Sequence, residues 1–247
     1  MLPVSEVAAT PIPRRGRLWV LLVLLLALVG LGYALVGIAT RKAGPEVVHV
    51  AGISEAQEIF GGVEQAGDRL GAPNAPVSIQ VFNDVQCSSC RADFLGTIPH
   101  LVEDQVRPGH VNLLMRHYSV AETKLELGFF PAEAAAQQGY GWQYTYLFFR
   151  NQDEAKKFGI GDRFFASLAG SIGELEVPEW QEYLDRESGP NGAITKRLEA
   201  YEELGTKLEI RTRQAVIVNG PRGTRTLQDG PSLGAIERAI EAVQTPA

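Results

Sequence analysis

The most constraining stretch of this chain is Val77-Ser-Ile-Gln-Val-Phe-Asn-Asp-Val-Gln-Cys87-Ser-Ser-Cys90-Arg-Ala-Asp-Phe, which places the only two cysteines where a strand meets a helix. Val77, Ile79 and Val81 alternate with Ser78 and Gln80, the two-residue period of a strand. Asn83 and Asp84 break that run. Phe94, Leu95, Ile98, Leu101 and Val102 then recur at steps of three and four, which is helical spacing. Free N–H groups and the dipole at a helix start favour an anion, so the first thiol is biased toward the nucleophilic thiolate. The second lies about one turn on, within reach to close or resolve a disulfide. Thiol–disulfide exchange is therefore the chemistry this pattern predicts.

Charge excludes some other classes. The formal net charge is −6, but residues 1–42 set five cations against Glu6, a net +4, leaving −10 on the remainder. An acidic body without a Lys/Arg cluster beyond residue 42 argues against nucleic-acid binding. Two cysteines are too few for a disulfide framework or a four-thiolate zinc site. His49, His100, His110 and His117 are the only histidines, and His110 and His117 stand seven apart across a strand-like run, outside finger spacing. Neither metal nor cofactor is expected.

Leu18 to Ala39 is an uncharged run of 22 residues with Trp19 at one end. As a helix it is long enough to cross a bilayer core of about 30 Å. The run exceeds the apolar core of a cleaved signal peptide and no Ala-x-Ala site follows, so an uncleaved signal anchor is predicted. Arg14, Arg15 and Arg17 before it outnumber Arg41 and Lys42 after it, which places residues 1–17 in the cytoplasm and the large domain outside. Residues 40–67 are expected to be linker and lead-in, and 68–245 the folded domain.

Within that domain Arg107-Pro-Gly-His is a turn, and 110–119 a second strand completing a β-α-β unit. Residues of about 131–204 are helical, with Trp142, Tyr146, Phe148 and Phe149 as core aromatics; a peptide-binding surface is the other reading of those rings. Ala215–Asn219 and Thr224–Gln228 read as a hairpin around Gly220-Pro-Arg-Gly223, and Pro231–Val243 as a last helix. The order β-α-β, helical block, β-β-α is an α/β, thioredoxin-like layout with a helical insertion.

From Phe60 to Val243 the sequence resembles the DsbA-type thiol:disulfide oxidoreductases of the thioredoxin superfamily, in particular their membrane-anchored bacterial group. The resemblance is carried by the 60–77 lead-in, by Val81-Phe-Asn-Asp-Val-Gln-Cys-Ser-Ser-Cys90, by the 134–152 run of Ala, Gln and aromatics, and by Val216-Ile-Val-Asn-Gly220. It implies that Cys87 is an exposed nucleophile, Cys90 a more buried resolving thiol, and Ser88 and Ser89 the dipeptide tuning the first thiol. Two serines supply only hydroxyl donors, so a strongly oxidising pair is not implied. Protein thiols or disulfides would be the substrates, with a membrane redox partner to recycle the pair and the bilayer engaged through 18–39. Relatives carry a cis-proline before the strand that matches Ala215–Asn219, where this chain has Arg213-Gln214. A cis bond without proline costs about 2.5–4 kcal/mol, so a trans bond and a reshaped substrate loop are predicted. That departure keeps a second reading open: a non-catalytic thioredoxin-fold binding module with a structural or vestigial cysteine pair.

Overall fold

The computed structural model describes residues 24–27, 48–120 and 127–244. The chain forms two compact units, residues 1–47 and 48–247. In the first, residues 24–27 are helical and Leu24, Leu25 and Leu26 are exposed. The remainder of the predicted span Leu18–Ala39, and the tail before it, lie outside the described residues. Among the described residues no helix is long and apolar enough to cross a membrane.

The second unit begins earlier than the sequence predicts. Helix α1 (Ile53–Phe60) occupies the supposed linker and buries Ala56 and Phe60, while Val48 also joins the core. Two short strands follow, β1 (Gln65–Ala66) and β2 (Arg69–Leu70). The domain boundary thus moves from 68 to 48. The cause is packing: α1 lies on the aromatic helix Gly141–Arg150, and Phe60 meets Tyr146 edge-on at 5.7 Å.

Strand β3 (Val77–Asn83), helix α2 (Ser88–Leu101) and strand β4 (Val111–His117) form the β-α-β unit, with β3 and β4 parallel. A five-residue π-helical turn, Val102–Val106, ends α2. The insertion comprises α3 (Phe129–Gln137), α4 (Gly141–Arg150), α5 (Gln152–Phe158), α6 (Asp162–Ala169), α7 (Val177–Glu187) and α8 (Ala193–Lys207). Strands β5 (Gln214–Gly220) and β6 (Gly223–Gln228) and helix α9 (Leu233–Val243) complete the unit. The six-stranded sheet runs β1-β2-β4-β3-β5-β6.

Strand alternation divides the interior between the two sheet faces. Val77, Ile79 and Val81 point into the larger cluster, where Ile79 stands opposite Val218 and Leu113, and Val81 opposite Val216 and Met115. Phe82, Ala215 and Ile217 point the other way, onto Tyr118 and Ile210. Trp142, Tyr146, Phe148 and Phe149 are all buried, as expected of core aromatics. The C-terminal ends of the two parallel strands reach the same edge, in the row Gln214–Asn83–His117. That edge carries the cysteines.

Candidate active site

The link from β3 to α2 is held by short local bonds. The Gln86 N–H donates to Asp84 Oδ1 at 2.9 Å and the Cys87 N–H to the Asp84 carbonyl at 3.0 Å. This leaves Cys87 as the N-cap of α2, with φ −74° and ψ 112°. Its Sγ accepts the Cys90 N–H at 3.2 Å, one of the donors that a helix start leaves unpaired. Cys87 and Cys90 form a disulfide across a Cα–Cα distance of 5.3 Å. The thiol expected at a helix start is therefore aimed at the first-turn N–H groups, where an anion is stabilised.

The environment departs from one expectation. Cys87 is as buried as Cys90, at 1% and 2% exposure, rather than being the exposed member of the pair. Gln152 of α5 accounts for part of this, its Nε2 donating to the Val85 carbonyl at 2.7 Å and the Cys87 carbonyl at 3.2 Å. Gly128 permits a close approach on the same loop, since a Cβ there would overlap Val85 and the Phe148 ring. Ser88 and Ser89 are exposed, and Ser89 Oγ lies 3.2 Å from Cys87 Sγ.

Arg213 and Gln214 do reach this edge. The Arg213 carbonyl oxygen is 3.7 Å from Cys90 Sγ, an acceptor for the Cys90 thiol once the disulfide is reduced. Gln214 opens β5 opposite Asn83. All described peptide bonds are trans, that of Arg213–Gln214 included. A cavity of about 460 Å³ beside Ser89 is lined by Asp93, Val120, Arg213, Gln214 and Asp229 among others.

Asp84 is the residue sequence reasoning passed over as a strand breaker. Its carboxyl is 1% exposed, with Arg213 Nη1 at 3.5 Å and the Ser119 hydroxyl at 3.4 Å from Oδ2. Burial raises its pKa above the ordinary carboxylate value, opposed by the Gln86 N–H and the Arg213 charge. A carboxyl three residues before the first cysteine was a visible signal. Its partners, in distant segments, were not.

Further in, His117 is stacked on Phe129 at 5.2 Å, and its Nε2 is 3.8 Å from Glu133 Oε1. Burial takes the imidazole down to about 3, so it is neutral and the contact is not an ion pair at neutral pH. Burial pushes Glu133 up to about 7 against the opposing pull of Arg197, whose Nη1 donates to Oε2 at 3.1 Å.

With this geometry in place, the comparisons with known proteins fall on one family. A family model described as Thioredoxin matches residues 64–218, more than half of the chain. The curated relative named "Probable disulfide bond formation protein D" from Bacillus cereus is 23% identical over 175 residues, covering 70% of this chain and 76% of the relative. Oxidised BdbD from Bacillus subtilis has a similar structure, with a TM-score of 0.59 at 19% identity, covering 72% of this chain and 96% of that one. MdbA, a thiol-disulfide oxidoreductase from Corynebacterium diphtheriae, gives 0.57 at 20% identity, covering 73% and 93%. These likenesses support a thiol:disulfide oxidoreductase. The chain belongs to the thioredoxin family, with a thioredoxin-like α/β fold that carries a helical insertion.

Proposed function

We propose that the chain is a membrane-anchored, extracytoplasmic thiol:disulfide oxidoreductase that exchanges disulfides with protein substrates through Cys87-Ser-Ser-Cys90. The observation that carries this reading is the Cys87–Cys90 disulfide with Cys87 Sγ as the cap of α2. In the oxidising direction a substrate thiolate attacks Cys87 Sγ, the Cys87–Cys90 bond breaks, and Cys90 leaves as a thiolate that takes up a proton. The substrate's second thiolate then attacks the mixed disulfide and releases Cys87 as the leaving group. Two electrons pass from the substrate dithiol to the cysteine pair, and a new substrate disulfide forms. A low-energy Cys87 thiolate makes the second step faster, and the helix start provides it. The names of the relatives, disulfide bond formation proteins, favour this direction. The uncharged run Leu18–Ala39 and the three-to-two excess of cations before it support the anchor and the external position of the domain. A membrane redox partner would re-oxidise the pair, and no nucleic acid takes part.

A second reading, a binding module with a static disulfide, draws on the burial of Cys87 and on Gln214 at the position of the relatives' proline. One variant separates the two. Full-length Cys90→Ser should accumulate substrates covalently linked through Cys87, visible as reducible high-mass bands that vanish in Cys87→Ser/Cys90→Ser. Absence of such adducts, together with a wild-type pair that dithiols cannot cycle, would establish the binding module instead.

A further inference from the structure

Arg213 touches the site at two points. Its carbonyl contacts Cys90 Sγ, and its guanidinium, half exposed, lies 3.5 Å from the buried Asp84 carboxylate. Asp84 in turn holds the cap, since its own carbonyl takes the Cys87 N–H. A buried negative charge three residues from Cys87 opposes a second negative charge on that sulfur, because like charges in a poorly solvated site repel strongly. Among the described residues Arg213 is the one cation in contact with Asp84.

The other charged groups around the pair do not substitute for it. On α2, Arg91 is engaged with Asp153 of α5 at 2.9 Å and with the Arg150 carbonyl at 3.2 Å. Asp93 of α2 packs beside Gly230, where φ is +63° and a Cβ would overlap its carboxylate. Glu202 of α8 accepts the Ser119 N–H at 3.4 Å. Arg211 is paired with Glu209 at 3.6 Å, and Asp229 adds a further carboxylate to the rim of the cavity. This surrounding set contains more carboxylates than guanidiniums.

We propose that Arg213 is a positioning residue whose pairing with Asp84 screens the Cys87 thiolate from that carboxylate, favouring the reduced pair and making the disulfide a stronger oxidant. The inference rests on the oxidoreductase reading above. Its sign follows from the exchange of two glutathione thiols with the disulfide, which yields glutathione disulfide and the Cys87/Cys90 dithiol. Two electrons move to the protein sulfurs. Whatever stabilises Cys87 as a thiolate stabilises the product side and raises the equilibrium constant.

The test uses the full-length chain in detergent, equilibrated in glutathione buffers, with thiolate ultraviolet absorbance followed against pH. Arg213→Met and Arg213→Gln should each lower the glutathione equilibrium constant by about threefold or more and displace thiolate formation to higher pH by a matching factor. Arg213→Lys should stay within about twofold of wild type. Asp84→Asn should move both readouts the opposite way, and in that background Arg213→Met should change neither by more than about twofold. Arg213→Met and Arg213→Gln variants that match wild type would overturn the proposal. So would an undiminished Arg213→Met effect in the Asp84→Asn protein, which would mean a direct action on the sulfur. A wild-type disulfide that neither glutathione nor a dithiol can reduce overturns the oxidoreductase reading itself, and is distinguishable because it precedes any comparison of variants.

Discussion

Gln152 is the residue whose removal separates the support of the cysteine loop from its chemistry. Its side chain is buried, and one amide nitrogen serves two carbonyls, Val85 and Cys87, on the loop that enters α2. A buried carbonyl left without a donor costs about 1–3 kcal/mol. Gln152→Ala should therefore lower the unfolding free energy by about 1–3 kcal/mol, read as a lower midpoint in urea unfolding. The same change should loosen the Cys87 backbone, read as faster alkylation of the reduced Cys87 thiol relative to wild type. An unchanged midpoint would show that water takes the place of the amide. At this scale the sequence discloses the two cysteines and their place at a helix start, because both depend on neighbours in the chain. It does not disclose Gln152, which stands 65 positions from Cys87, nor the pairing of Asp84 with Arg213. Those contacts exist only after the insertion and β5 fold back onto the loop.

Elements with a strong apolar period were legible, and those held by tertiary contact were not. β3 and α2 show their periods openly, and the structure places them at Val77–Asn83 and Ser88–Leu101. Helix α5 reads Gln-Asp-Glu-Ala-Lys-Lys-Phe and lies inside the 131–204 stretch read as helical, but it buries only Gln152 and Ala155, too short a stripe to mark its ends. Helix α1 buries only Ala56 and Phe60 and is entered through Gly52 at φ +85°, so its glycine-rich flanks suggest a linker. Helix α8 illustrates the same conflict between local and tertiary preference. Gly205 within it is a poor helix former, and replacement by Ala in an open helix would gain up to about 1 kcal/mol. Here a Cβ would overlap the Tyr118 ring, whose hydroxyl donates to the Ile210 carbonyl at 3.0 Å. Overpacking costs about 1–3 kcal/mol, so the clash outweighs the propensity. Gly205→Ala should be destabilising, and a rise in thermal midpoint would show that Tyr118 moves aside without cost.

Across the whole folded unit, buried polar groups tie the helical insertion to the sheet. Arg116 of β4 pairs with Asp68, between β1 and β2, and lies over the Tyr201 ring of α8 at 5.1 Å. Tyr201 donates to Asp68 at 3.4 Å, and Arg197 of α8 holds Glu133 of α3, which faces His117 of β4. This linkage makes stability depend on pH in a direction that can be worked out. Glu133 titrates at about 7 in the fold, against 4.5 as an ordinary glutamate. Between those values the native state holds a proton the unfolded chain has lost. The contribution is thus fully present below 4.5 and disappears as pH rises through 7. His117 works the other way: its folded value of about 3 lies below 6.5, so its contribution is present above 6.5 and lost on acidification. Comparison with Glu133→Gln isolates the first effect, because His117 titrates in both proteins. The stability of wild type minus that of the variant should rise by ~1–3 kcal/mol from neutral pH down to the unfolded carboxylate range, measured by urea unfolding. A flat difference would mean that Arg197, at 3.1 Å, keeps Glu133 ionised throughout and that its charge outweighs burial in joining α3 to α8.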